Sequence, residues 1–476
     1  MSDFIIFFNV IMTFISIVVV IRVLNTDFNP AYKLAWALPI LSFPLFGGLL
    51  YIISKGQSSI RDFSKKEKYI HGKIKAHYIF DESIKEELYE TDDVSYSIAN
   101  YLENAGFPLY KGAEQVYLRD GEQCLKAMKE AILSAEKYVF IESFIIREDS
   151  FFSELFDLLC EKVKAGVEVR IIYDGMGSLA TLQRDFPQRM ASYGIKTMEF
   201  NPFIPVVTVM QNNRDHRKIF VVDGKLAITG GINIADEYAN RLDRFGHWKD
   251  SSIMIKGRAV RSYVLMFLQT WYMQNPIDSD IGRYVDEEKE ATAENGFVQP
   301  YCDSPLDKEN TGERVYLSMI SKAKKYVYIT TPYLIPDNEL VTALCVASKS
   351  GVDVRIIVPH KPDKWYVHMV TRSFYSELLN NGVKIYEYTP GFIHSKTMVV
   401  DQKMAVVGSI NFDYRSLYLH FESALFATQS DVVSDITDDF LKTQLKCEYI
   451  TETKLKLIVK RHGVLMSLLK VFAPIF

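Results

Sequence analysis

The sequence predicts an α/β protein of two tandem lobes related by pseudo-two-fold symmetry. An active site is expected at the lobe interface, and an N-terminal α-helical membrane hairpin in front. Three observations predict this. A motif H-x-K-x4-D occurs twice, as His216-Arg217-Lys218 with Asp223 and as His394-Ser395-Lys396 with Asp401. Six residues after each Asp comes a small-residue turn, Gly230-Gly231-Ile232-Asn233 or Gly408-Ser409-Ile410-Asn411, and every landmark keeps one offset of 178 residues (394 − 216, 401 − 223, 411 − 233). Strand–helix–strand patterns recur around both motifs, and two apolar stretches open the chain. One such motif alone is weak, because chance and a surface His beside a strand also produce it. Two in a single frame, each with its own turn, mark a duplicated half-site.

The elements follow in chain order. Residues 1–54 carry the hairpin. Phe4–Leu24 is long enough to cross a bilayer, interrupted by Asn9, Thr13, Ser16 and Arg22. It lacks the basic start and small-residue cleavage site of a signal peptide. Leu34–Ile53 is a second candidate, softened by Pro39, Pro44 and Gly47-Gly48, and it either spans or re-enters. Basic residues after Ile53 outnumber those in the Asn25–Lys33 loop, which places the body and Met1 on the cytoplasmic side of a multi-pass protein. Residues 55–110 read as a juxtamembrane linker, basic and then acidic. Lys55, Arg61, Lys65, Lys66, Lys68, Lys73 and Lys75 suit an anionic lipid surface, before a run containing Asp81, Glu82, Glu86, Glu87, Glu90, Asp92 and Asp93.

Residues 111–285 and 286–450 form the lobes, with 275–296 as a polar, acidic connection. Ala135–Ile141 parallels Ala323–Ile329, and Gly166–Ile172 parallels Gly351–Ile357. Between each pair lies a stretch of helical periodicity, Phe151–Ala165 or Asn338–Ser350. Strand, helix, strand implies parallel pairing through right-handed crossovers. The motifs begin strands, Lys218–Val222 and Lys396–Val400, with Leu226–Thr229 and Met404–Val407 as hairpin partners. Alternation puts His216 with Lys218, and His394 with Lys396, on one strand face each. Residues 451–476 mix Lys454, Lys456, Lys460, Arg461 and Lys470 with large apolar residues, which suggests an interfacial amphipathic helix over a core-docked one.

Composition excludes some classes. A net charge of −4 argues against a general nucleic-acid binder, and 48% hydrophobic residues suit a membrane-tethered enzyme. Five cysteines (Cys124, Cys160, Cys302, Cys345, Cys447) show no metal or redox spacing and fit a reducing compartment. His247, His360 and His368 lie outside the repeated frame and read as structural.

The repeated residues suit phosphoryl chemistry. One neutral imidazole can attack phosphorus while a second, protonated one hands a proton to the leaving alkoxide. Lys218 and Lys396, with Asn233, Ser409 and Asn411, would donate to phosphate oxygens. Asp223 and Asp401 belong to the candidate catalytic set, in a supporting role. No carboxylate or His/Asp ligand cluster flanks either motif, so neither a metal nor another cofactor is expected.

Longer strings carry a resemblance: Asn213-Arg214-Asp215-His216-Arg217-Lys218, Thr229 through Tyr238, Thr331-Pro332-Tyr333-Leu334-Ile335-Pro336-Asp337, and Tyr388 through Lys396. In order and spacing they resemble the phospholipase D superfamily, and within it the bacterial cardiolipin synthases. The resemblance implies two phospholipase D-like lobes in a bacterial cytoplasmic-membrane enzyme. It implies phosphatidyl transfer between two phosphatidylglycerols, giving cardiolipin and glycerol through a phosphatidyl-histidine on His216, with His394 as acid and base. It also implies Asp250 and Glu422 as the carboxylates that orient the histidines. Its partners are phosphatidylglycerol and anionic membrane lipid, not nucleic acid, and it leaves protein partners unknown. With water as acceptor, the same residues would make a phospholipase D. Gly231 departs from the superfamily Ser that Ser409 supplies, and a Gly there is usual in this family.

Overall fold

A computed structural model describes residues 2–25, 29–43, 58–203, 209–278, 280–285, 296–307 and 309–475. Runs such as Val139-Phe140-Ile141 and Val354-Arg355-Ile356 form strands because their β-branched and aromatic side chains pack well on a pleated surface. These strands collect into two sheets of one design. In the first lobe the order is 114–118, 252–256, 226–230, 219–222, 138–143, 168–174, 196–200. In the second it is 297–303, 422–428, 404–408, 397–400, 326–330, 353–359, 384–388, with Tyr110–Lys111 and Cys447–Tyr449 added at the edges.

The crossovers are those the periodicity predicts. Tyr138–Ser143 runs parallel to Glu168–Asp174 around the helix Ser150–Lys164, and Tyr326–Thr330 runs parallel to Asp353–Pro359 around Asn338–Lys349. Asp149 and Asp337 cap these helices, accepting from the amides of Phe152 and Leu340. The first helix buries Phe151, Phe152, Leu155 and Leu159 along one stripe. Cutting Leu155 to Ala would cost about 2–5 kcal/mol through the cavity left behind. Each motif strand, Ile219–Val222 or Thr397–Val400, lies antiparallel to the first crossover strand and pairs with its hairpin mate, Leu226–Gly230 or Met404–Gly408. The motifs therefore occupy the middle of each sheet, and one apolar core draws side chains from both lobes.

At the N-terminus, Ser2–Leu24 is a single helix. Its Ile6–Leu24 segment has a mean hydropathy of 2.5 and is the one helix among the described residues long and apolar enough to cross a membrane. A second helix, Pro30–Ser42, has 13 residues, about 20 Å of rise against a hydrocarbon core of about 30 Å. Residues 44–53 of the Leu34–Ile53 stretch lie outside the described residues. The two helices pack through Val19, Val20 and Val23 against Ala37 and Ile40. Phe4, Phe7, Val10 and Phe14 point outward.

Residues read as a linker are folded instead. Ser58–Lys75, Glu82–Thr91 and Asp93–Asn104 are helices, and Ile70, Ile74, Ile98 and Leu102 enter the main core. Two acids that suggested a solvated run, Asp81 and Asp92, are N-caps that accept from backbone amides. The C-terminal helix Glu452–Val471 buries Leu455, Ile458 and Met466 while leaving Leu457, Val464 and Leu468 exposed. Its end and the helix Pro30–Ser42 line one groove on the second lobe, where Leu34 and Leu38 face Val471, Ala473 and Pro474.

Candidate active site

Each half-site begins where its motif strand enters the sheet. Alternation sends the side chains of His216 and Lys218 one way and Arg217 the other. Arg217 is consequently locked in the interior, bonded to Asp215 at 3.0 Å and to Thr270 at 2.7 Å, with Glu142 at 3.2 Å. His216 and His394 are buried, yet each keeps a carboxylate on its Nδ1. His216 Nδ1 lies 3.0 Å from both oxygens of Glu422, and His394 Nδ1 lies 2.7 Å from Asp250.

These dyads are crossed between the lobes. Glu422 belongs to the second lobe and serves the first lobe's histidine, while Asp250 does the reverse. Backbone ladders enforce the exchange. The His216 amide donates to the Phe421 carbonyl at 2.9 Å, and the His394 amide to the Lys249 carbonyl at 2.7 Å. Gly391–Ile393 runs parallel to His247–Lys249, and Asp215 bridges Phe421 in the same sense.

Charge follows from this packing. Burial lowers the pKa of His216 to about 3 and that of His394 to about 4, against the pull of their carboxylates. Glu422 and Asp250 are fully buried, but the facing imidazoles hold both below the usual carboxylate range. Before substrate binds, each histidine is therefore a neutral ring beside an anion. The anion accepts a hydrogen bond from Nδ1–H, leaving the Nε2 lone pair free, the tautomer that can attack phosphorus or accept a proton.

The lysines lie alongside. Lys218 donates to the His216 carbonyl at 2.6 Å, and Lys396 donates to that of His394. Burial lowers Lys218 to about 8 and Lys396 to about 7. Lys396 feels Lys218, Asp250 and Glu422 electrostatically, so the two half-sites share one field.

The other predicted residues are placed less directly. The Ser409 hydroxyl, expected on phosphate, bonds Glu422 at 2.5 Å and so steadies the orienting acid. Asn233 accepts from the Ile145 amide at 3.1 Å and donates to the Tyr238 hydroxyl at 2.6 Å, fixing the loop after the first crossover strand. Asn411 is buried, and its side-chain oxygen has no hydrogen-bond partner among the described residues.

Asp223 and Asp401 sit at the far ends of their strands, about 20 Å along the chain from the imidazoles. Asp223 accepts from the amides of Glu136, Lys137 and Tyr138, and Asp401 from those of Lys324, Lys325 and Tyr326. They clamp the start of the crossover strand and touch neither histidine. His360 bonds Glu387 and His247 bonds Tyr388, outside both dyads.

Gly231 shows why the halves differ. A Cβ there would meet Asp250 Oδ1 at 2.2 Å, where the second lobe accommodates Ser409. Two residues that the sequence reading passed over also line the site. Trp248 and His420 stand two positions before Asp250 and Glu422, a W-x-D and H-x-E correspondence visible once the halves are aligned on their acids. His420 Nδ1 is 3.6 Å from Glu422, and among the described residues neither ring nitrogen has a hydrogen-bond partner. His216, His420 and Glu422 are close enough together to hold a metal ion, as are Glu313, Asp337 and Glu339.

Two like lobes that exchange His–carboxylate pairs across their interface define a duplicated phospholipase D-like protein. The comparisons specify it further. Residues 128–254 and 316–444 match the family described as cardiolipin synthase, PLD-like domain, and residues 11–55 match the phospholipase D-nuclease N-terminal family. The chain belongs to the cardiolipin synthase family of PLD-like proteins. It is 33% identical to a cardiolipin synthase of Alkalihalophilus pseudofirmus over 438 residues, 91% of this chain and 86% of that one. It is 42% identical to an uncharacterized protein of Streptococcus mutans over 453 residues, covering 94% and 98% of the two chains. A solved phosphatidylserine synthase of Haemophilus influenzae shares the fold, with TM-score 0.60 at 14% identity over 81% of this chain and all of that one.

Proposed function

We propose that the protein is a cardiolipin synthase that transfers a phosphatidyl group from one phosphatidylglycerol to another, releasing glycerol. The observation that carries this reading, within the family, is the pair of crossed dyads. They present two oriented Nε2 atoms beside two lysines. The charge of the bound phosphodiester anion favours a proton on His394. His216 Nε2 attacks phosphorus, the P–O bond to glycerol breaks, and the leaving alkoxide takes that proton. The phosphatidyl group now sits on His216. The headgroup hydroxyl of a second phosphatidylglycerol gives its proton to His394, its oxygen attacks phosphorus, and the P–N bond breaks. His216 returns neutral, and cardiolipin leaves.

Lys218 and Lys396 supply the positive charge for the phosphoryl oxygens, so the reaction proceeds without a metal ion. Glu422 is already engaged by His216 and Ser409 and does not need a cation. A membrane-anchored body on the cytoplasmic side, with the helix Pro30–Ser42 and the C-terminal end lining one groove of the second lobe, would bring the site to anionic lipid.

The test is mass spectrometry of lipids after incubating purified protein with phosphatidylglycerol vesicles, with and without EDTA, beside His216→Ala. Cardiolipin and glycerol should form in both buffers and vanish in the variant. Phosphatidic acid as the main product would show a hydrolase instead, and loss in EDTA would refute the metal-free reading.

A further inference from the structure

The half-sites match in backbone and in charge, each with one carboxylate and one lysine per histidine, but not in the rings around them. Trp248 crosses with Asp250 and lies against His394, centroids 5.4 Å apart at 47°. His420 crosses with Glu422 and lies against His216, 5.5 Å apart at 42°. The two are equivalent positions carrying different rings. Around His394, Tyr238 at 5.5 Å and Phe392 at 6.0 Å add to Trp248. Among the described residues His216 meets a single carbocycle, Phe144, edge-on at 5.1 Å, and the Lys218 ammonium stands 5.5 Å from that same ring.

An aromatic face within about 6 Å stabilises a cation, most strongly where water is excluded. His394 has three carbocyclic rings with centroids 5.4, 5.5 and 6.0 Å from its own. His216 has one, already facing a cation, and otherwise an imidazole. Two histidines in near-identical dyads must nevertheless take opposite roles in the first step of the proposed transfer, one neutral and one protonated.

We propose that Trp248, with Tyr238 and Phe392, makes His394 the histidine that carries the proton, and that His420 in the equivalent place leaves His216 as the neutral nucleophile. Trp248 is thus a positioning residue that acts through His394. The inference rests on the transfer reaction above.

Leaving groups separate this role from a structural one. A glycerol alkoxide needs the proton of His394, whereas nitrophenolate leaves as a stable anion. The experiment measures single-turnover release of glycerol from phosphatidylglycerol and of nitrophenolate from phosphatidyl-p-nitrophenol in mixed micelles. It uses the full-length wild type, Trp248→Leu and Trp248→Phe. The Leu variant should release glycerol about tenfold more slowly, with nitrophenolate release slowed less than about threefold. The Phe variant, which keeps a ring, should recover most of the glycerol rate. Equal slowing with both donors overturns the inference, as does a Phe variant as slow as the Leu variant. A wild type that releases neither product overturns the proposed function, and this inference with it.

Discussion

Replacing Glu422 by Gln tests the crossing of the dyads most directly. Glu422 is ionised, buried and bonded through both oxygens to His216. A hydrogen bond to a charged group contributes about 1.5–3 kcal/mol, against about 1 for a neutral pair. The difference alone slows a step that needs the oriented ring about 2- to 30-fold, at 1.36 kcal/mol per decade. The amide also changes the tautomer. Wherever its NH2 faces His216, Nδ1 must accept, the proton moves to Nε2, and the attacking lone pair disappears. In a Ser-His-Asp triad the comparable Asp-to-Asn change costs about 10⁴. We expect Glu422→Gln to slow the nitrophenolate burst by about 10²- to 10⁴-fold. Asp250→Asn should slow that burst far less, because Asp250 serves His394, whose proton this leaving group does not need. With phosphatidylglycerol as donor, both variants should be impaired. Circular dichroism would establish that both fold. The reasoning is refuted if Asp250→Asn slows the nitrophenolate burst as much as Glu422→Gln or more, since Asp250 would then matter to the nucleophile as much as the acid assigned to it.

Other outcomes follow from the same geometry. Gly231→Ser places a Cβ 2.2 Å from Asp250 Oδ1, so Asp250 must move; cardiolipin formation should fall about 10- to 100-fold, roughly 1–3 kcal/mol of misplacement, in an initial-rate lipid assay. Asp223→Ala and Asp401→Ala each strand three backbone amides and should lower stability by about 1–3 kcal/mol in urea unfolding. Their kcat, measured well below the unfolding midpoint, should stay within severalfold of wild type; loss of chemistry with unchanged stability would restore these acids to the reacting set. Lys396 and Lys218 lose their charge as pH rises through about 7 and about 8. A pH profile of kcat/KM should therefore fall on its alkaline side in that range. The kcat profile should fall at higher pH, because a bound phosphodiester holds the ammonium protons. An alkaline limb near 10 in kcat/KM would contradict the buried placement of the lysines.

The repeat made much of the site legible. His216, Lys218, His394 and Lys396 declare themselves by a constant offset, and β-branched runs place them on strands whose alternation fixes their faces. Their carboxylates are harder to find because the spacing differs between halves, Asp250 lying 17 residues after Asn233 and Glu422 only 11 after Asn411. That each acid reaches the opposite lobe is a property of the interlobe ladders and has no trace along one strand. Trp248 and His420 escaped because their identities differ, although their positions correspond. The acidic run after residue 80 misled for a different reason. Charge suggested solvent, but Asp81 and Asp92 are caps, and the deciding signal was the helical spacing of Ile98 and Leu102.

Crossing changes what the duplication achieves. Two self-contained half-sites could drift relative to one another and still keep each imidazole oriented. Here any slippage between the lobes withdraws both carboxylates at once, so catalysis depends on the stiffness of the interface. The packing around the dyads fits that demand. Phe421, the residue between His420 and Glu422, lies edge-on against Phe200 of the first lobe at 5.3 Å and under the Arg217 guanidinium at 5.3 Å. Arg217 is in turn anchored by Asp215, Glu142 and Thr270. A buried guanidinium with two carboxylates adds little net stability on its own, because desolvation offsets much of the attraction. Its geometry, however, admits one arrangement. The residue between His and Lys in the first motif therefore aims away from the chemistry and holds the strand of the opposite lobe that delivers Glu422. The interior of one lobe thereby fixes the tautomer of a histidine through an acid that only the other lobe can supply.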